Sequence, residues 1–115
     1  MASDIGFVEY VSSQISGAGN VTYRKMFGEY GIYLNGKIIG LICDNQFFLK
    51  ITGAGRISLR EIVESPAYPG SKPFFLIEDL DDRDYLTALI SATYSELPEP
   101  KPKKLSGKKK TNRKR

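Results

Sequence analysis

A chain of 115 residues is the usual size of one domain, and with 41% hydrophobic and 11% aromatic residues it has the apolar material for a core. It has no His and a single Cys, which removes the commonest general base and metal ligand, excludes an internal disulfide and points to a reducing, cytoplasmic setting. The longest apolar run, Ile38 to Cys43, is far too short to cross a bilayer. The opening Met1-Ala2-Ser3-Asp4 lacks a basic region ahead of an apolar stretch, so neither a signal peptide nor a membrane partner is expected.

Residues 4–16 read as a helix: Ile5, Val8, Val11 and Ile15 recur at helical spacing, Ser3 or Asp4 can cap it, and Gly17 suits a left-handed C′ position. Residues 21–27 are extended by propensity. Then come three strand-like runs, 30–34, 37–43 and 46–51, separated by Asn35-Gly36 and Asp44-Asn45. Both dipeptides tolerate the positive φ of tight hairpin turns, so the segment predicts a three-strand antiparallel meander. Thr52-Gly53-Ala54-Gly55 leads into a second helix over about 55–64, with Ile57, Leu59, Ile62 and Val63 as its apolar side. Pro69-Gly70 fits the centre of a type II turn, Phe74–Ile77 a short buried strand. A third helix is expected from about Asp81 to Leu97, lined by Leu86, Leu89, Ile90, Thr93 and Leu97, with acids at its positive end. Pro98, Pro100 and Pro102 stop it.

Two-residue turns would fix the register of the meander. One face then holds Tyr30, Ile32, Leu34, Ile39, Leu41, Cys43 and Phe48; the other holds Tyr33, Ile38, Ile42, Phe47, Leu49 and Ile51, with Gly31 opposite Gly40. The second face lacks charge and is expected under the helices. The first, centred on Tyr30, Ile32, Leu41 and Phe48, is either an interface to a protein partner or second copy, or is covered by a helix of its own chain.

Residues 101–115 hold nine bases and no acid, whereas residues 1–100 carry eight bases against all 13 acids, a net of −5. The division predicts an acidic domain, 1–100, and a flexible basic tail, 101–115. Within the tail Lys103, Lys104, Lys108, Lys109, Lys110, Arg113, Lys114 and Arg115 are candidate contacts to polyanions, nucleic acid foremost and without sequence preference.

The run Val21-Thr22-x-Arg24-x-Met26-Phe27-Gly28-x-Tyr30-Gly31-x-Tyr33, the strand ending near Phe48-x-Lys50 and the later Tyr68-Pro69-Gly70-x-Lys72-Pro73 resemble the N-terminal domain of the TfoX/Sxy family. Such proteins are known as regulators of competence gene expression in bacteria. The resemblance spans nearly all of 5–100 and implies an α+β fold of order α-β(3)-α-β(2)-α, like that of secretion chaperones. It implies no catalytic residues. Full-length TfoX-type regulators add a C-terminal domain, so a stand-alone N-terminal domain is expected.

Other candidate chemistry has a structural reading beside it. Cys43 has no His to deprotonate it and ends a strand. Gly53 and Gly55 sit between strand and helix, where amides can hold phosphate, but Ser58 occupies the third position of a dinucleotide fingerprint and the context is antiparallel, so Thr52 or a neighbour capping a helix is the better reading. Arg24 and Lys25 beside Met26 and Phe27 are few charges for a nucleic-acid strip on an acidic body. Glu78, Asp79, Asp81, Asp82 and Asp84 lack the spacing of a calcium loop and suit a helix start. The chain is thus expected to be a non-enzymatic regulatory or adaptor module without cofactor, metal or small-molecule substrate, or alternatively a nucleic-acid-associated protein binding through its tail.

Overall fold

The structure, a computed structural model, describes residues 3–26 and 29–97. Its elements are α1 (Ile5–Gln14), β1 (Val21–Met26), β2 (Glu29–Leu34), β3 (Lys37–Cys43), β4 (Gln46–Leu49), α2 (Gly53–Ser58), β5 (Glu64–Pro66), β6 (Pro73–Ile77) and α3 (Arg83–Glu96). The six strands form one antiparallel sheet in the order β1-β2-β3-β4-β6-β5. The α+β alternation follows expectation, with β1 joining the first block to make four strands. The boundary expected at residue 100 and the tail both lie outside the described residues.

The turn chemistry explains the meander. Asn35 (φ 50) with Gly36 (φ 85), and Asp44 (φ 53) with Asn45 (φ 55), take the left-handed conformations that two-residue hairpins require. The Asn35 side chain also accepts from Asn20 N at 2.9 Å, while Asn35 N donates to Asn20 O at 2.8 Å, fixing the start of β1 against the first turn. Asp4 caps α1 by accepting from Gly6 N, and Asp82 caps α3 by accepting from Tyr85 N. The first helix ends in a 3-10 turn, Ser16–Ala18; Gly17 does not take the left-handed conformation expected of it, and Gly19 follows the turn with an extended backbone of positive φ (φ 154).

The face assignment needs correction. Tyr33 pairs with Ile38 but Ile32 pairs with Gly40, so Ile39 is an extra residue in β3. This bulge shifts the alternation by one. Ile32, Leu34, Ile39, Ile42, Phe47 and Leu49 all face the helices, packed with Val8, Val11 and Ile15 of α1 and Leu86, Leu89 and Ile90 of α3. Tyr33 and Ile38, expected under the helices, lie on the other face: a Cβ placed on Gly31 would meet Met26, Tyr33 and Ile38 side chains there. Gly31 opposes Leu41, not Gly40.

The second helix is also shorter than expected. It spans only Gly53–Ser58; Ile57 is 87% exposed, and the chain leaves the helix in an extended conformation at Leu59 and bends at Arg60 and Glu61 before β5. Its glycine has a packing role: a Cβ on Gly55 would lie 2.9 Å from Thr93 Oγ1, so only glycine lets α2 sit this close to α3.

Candidate functional site

All helices described lie on one side of the sheet or stack on it there; the opposite face carries none. That face has its own small cluster of Cys43, Phe48, Ala67 and Phe74, with Leu41 and Leu76 packed against it. The β5–β6 connection forms one wall. Ser71 N donates to Tyr68 O at 3.0 Å across Pro69-Gly70, Gly70 has φ 87, and Ala67 N donates to Ser71 Oγ at 2.9 Å. Between this turn and β3–β4 runs a groove of about 770 Å³ whose lining includes Leu41, Cys43, Phe48, Pro66 and Tyr68. Phe48 is 3% exposed and belongs to the floor, whereas Tyr68 is 56% exposed at the rim.

The four expected interface residues are therefore divided. Leu41 and Phe48 border the groove. Ile32 is fully buried under the helices, and Tyr30 packs into the helix-side cluster with its ring edge-on to Tyr23, 6.0 Å between centroids, while only edging the groove. The bulge at Ile39 is the reason, since it puts Tyr30 and Ile32 opposite Ile42 and Gly40 rather than Leu41 and Ile39.

The acidic end of the groove is built, not incidental. Glu29 accepts from Ser3 N (3.0 Å), Ser3 Oγ (2.7 Å) and Asp44 N (3.0 Å), and Asn45 accepts from Asp4 N at 2.8 Å through its side chain. Partial burial works against the Glu29 carboxylate, but these donated bonds outweigh it and hold its pKa below the ordinary glutamate range. Toward the other end of β4, burial and then the neighbouring Lys72 charge hold Lys50 below the ordinary lysine range.

A family model described as the TfoX N-terminal domain matches residues 13–97, most of the chain and all of its strands. The chain belongs to the TfoX N-terminal domain family. An "Uncharacterized 12.7 kDa protein in trpE 5'region" of Spirochaeta aurantia is similar to it, 35% identical over 113 residues that cover 94% of this chain and 95% of that protein. At that coverage the match runs into the basic segment after residue 100. The TfoX N-terminal domain family is not a known enzyme family.

The remaining candidates of this TfoX N-terminal domain have structural occupations. Cys43 is 6% exposed; burial first, and then the Glu29 and Asp44 charges, push its thiol pKa up, away from the thiolate. At α2 two of the first amides are taken, Gly55 N by Thr52 Oγ1 at 2.9 Å and Ala54 N by Glu96 Oε1 at 2.9 Å. Three of the five acids in the cluster are engaged by side chains. Arg60 reaches Asp79 at 2.9 Å and also the N-cap Asp82, Tyr10 donates to Asp81, and no group of three metal-ligating side chains occurs among the described residues. Arg24 lies over the Tyr33 ring at 5.4 Å, on the helix-free face. No helix among the described residues is long and apolar enough to cross a membrane. The eight tail bases lie outside the described residues.

Sequence reasoning missed Lys37. It is 5% exposed, and its ammonium donates to the Tyr94 and Leu97 carbonyls at the end of α3. The turn marks Lys37 as the first residue of β3, but its contact with α3 is tertiary and leaves no mark in the sequence.

Proposed function

We propose that this protein is a non-enzymatic cytoplasmic regulator of gene expression of the TfoX type, acting as an adaptor through the groove on its helix-free sheet face. The observation that carries the reading is that face: an apolar floor of Leu41 and Phe48 beside an exposed Tyr68, with aromatic and apolar groups of the kind that anchor macromolecular contacts. The family membership supports the regulatory half. The family's not being a known enzyme family and the engagement of Cys43 in packing support the non-enzymatic half. Leu41 is half-buried, so Leu41→Asp can foul the groove while sparing the helix-side core. Transcripts compared among the wild type, a deletion strain and strains restored with wild type or Leu41→Asp test the idea. Rescue by the wild type and failure by a folded Leu41→Asp protein is the expected result; a deletion that leaves transcription unchanged overturns it.

A second reading is favoured by one observation, the nine bases of residues 101–115 without an acid. On this reading the tail holds nucleic acid without sequence preference, Lys dominating over Arg and so favouring point contacts to phosphate. With about five charges engaged on duplex DNA, log K should fall against log salt with a slope near about −4.5. Loss of binding on deletion of 101–115 supports this reading; retained binding, or a near-zero slope, removes it.

A further inference from the structure

The two edges of the sheet are unlike. The β5 edge is three residues long and ends in Pro66, which has no N–H to offer. The β1 edge is six residues of Val-Thr-Tyr-Arg-Lys-Met, without Gly or Pro and with its four central residues exposed. Its outward backbone groups follow from the ladder. Asn35 N donates to Asn20 O, so in the alternation of an antiparallel pair Thr22, Arg24 and Met26 bond to β2. Val21, Tyr23 and Lys25 then direct their N–H and C=O groups outward, and no backbone partner meets them among the described residues. Three donors and three acceptors stand ready for one more strand.

Charge selects the strand. Arg24 and Lys25, adjacent in sequence, project to opposite faces at the centre of the edge. Neither has a carboxylate partner among the described residues; Arg24 rests only on the Tyr33 ring. A second copy paired about a two-fold would bring a like-charged pair directly or diagonally opposite, which is unfavourable. The chain's own residues 101–115 carry nine bases and are disfavoured for the same reason. We propose that β1 is a docking edge for an extended, acidic segment of another protein, which adds to the sheet as a seventh strand with adjacent acids on Arg24 and Lys25. The edge meets the groove only at Met26, and the proposal stands without the groove.

The probe is a capped hexapeptide, Val-Thr-Glu-Asp-Thr-Val, against its analogue with both acids replaced by Lys, each titrated into the full chain with amide hydrogen exchange as the readout. The acidic peptide should slow exchange at Val21, Tyr23 and Lys25 by about tenfold or more, less at higher salt, and the lysine peptide should not. Tyr23→Pro removes an outward N–H that the native sheet does not use, and should abolish the protection. Should that variant not fold, the double variant Arg24→Glu/Lys25→Glu should reverse the preference between the two peptides. Equal binding of both peptides, protection confined to Leu41 and Phe48, no protection at β1, or protection that rises with protein concentration alone each overturns the proposal.

Discussion

Lys37 Nζ donates to the Leu97 carbonyl oxygen at 2.8 Å, joining the first residue of β3 to the C-cap of α3. It reaches the Tyr94 carbonyl at 3.3 Å as well and sits 4.1 Å over the Tyr94 ring. A cation is favoured at the negative end of a helix, and here it meets the Leu97 carbonyl and shares the Tyr94 carbonyl with Leu97 N.

Lys37→Met keeps the apolar stem and removes the charge. The last turn of α3 should loosen, with a loss of about 1–3 kcal/mol, the usual worth of hydrogen bonds made by a charged donor. Urea denaturation measures the loss, and faster amide exchange at Leu97 localises it.

Gly40 separates from Gly36 in kind. A Cβ on Gly40 would lie 2.3 Å from the Phe48 carbonyl oxygen, a backbone atom that has nowhere to go, whereas a Cβ on Gly36 meets nothing. Gly40→Ala should cost about 3 kcal/mol, the upper part of the overpacking range. Gly36→Ala, strained only by its positive φ, should cost about 1 kcal/mol. Thermal melts of the two variants rank them.

Glu29 makes the fold sensitive to acid. Its folded pKa lies below the unfolded one, so its contribution is present above the unfolded value and is lost as pH falls through the folded value. Acidification below the ordinary glutamate range should therefore lower the melting temperature of the wild type more than that of Glu29→Gln. Exchange at the Asp44 amide, which donates to Glu29, should rise over the same interval.

Cys43 should be a poor thiol. Burial and two nearby carboxylates disfavour its thiolate, so labelling by an aromatic disulfide at neutral pH should run at least about tenfold slower than for free cysteine. Denaturant should abolish the difference. Cys43→Ala should remove no catalytic turnover.

The legible parts of this fold are those encoded by local chemistry. Asn35-Gly36 and Asp44-Asn45 announce their turns because few other pairs accept two positive φ angles, and Leu86, Leu89, Ile90 and Thr93 mark the buried face of α3 by spacing alone. The bulge at Ile39 left no such mark. Nothing in Lys37-Ile38-Ile39-Gly40 says that one residue will be skipped, with Gly40 rather than Ile39 opposite Ile32. One skipped residue moved Tyr30 and Ile32 away from Leu41 and Phe48, so the four residues that simple alternation puts on one face lie on two. Likewise the apolar spacing of Ile57, Leu59, Ile62 and Val63 suggested a helix that β5 pairing with β6 overrides.

Every strand pairing but one joins chain neighbours, β1 with β2, β2 with β3, β3 with β4 and β5 with β6. The exception is β4 with β6, where Leu49 meets Phe75 across the whole α2–β5 excursion. Loop-closure entropy is therefore concentrated in a single event, while the meander can zip up on local contacts. Joining β6 to β4 also sets the first residues of α3 over the core that α1 has begun to cover. The refolding rate should accordingly be governed by the length and stiffness of residues 50–72, and much less by the two tight turns that dominate the appearance of the sheet.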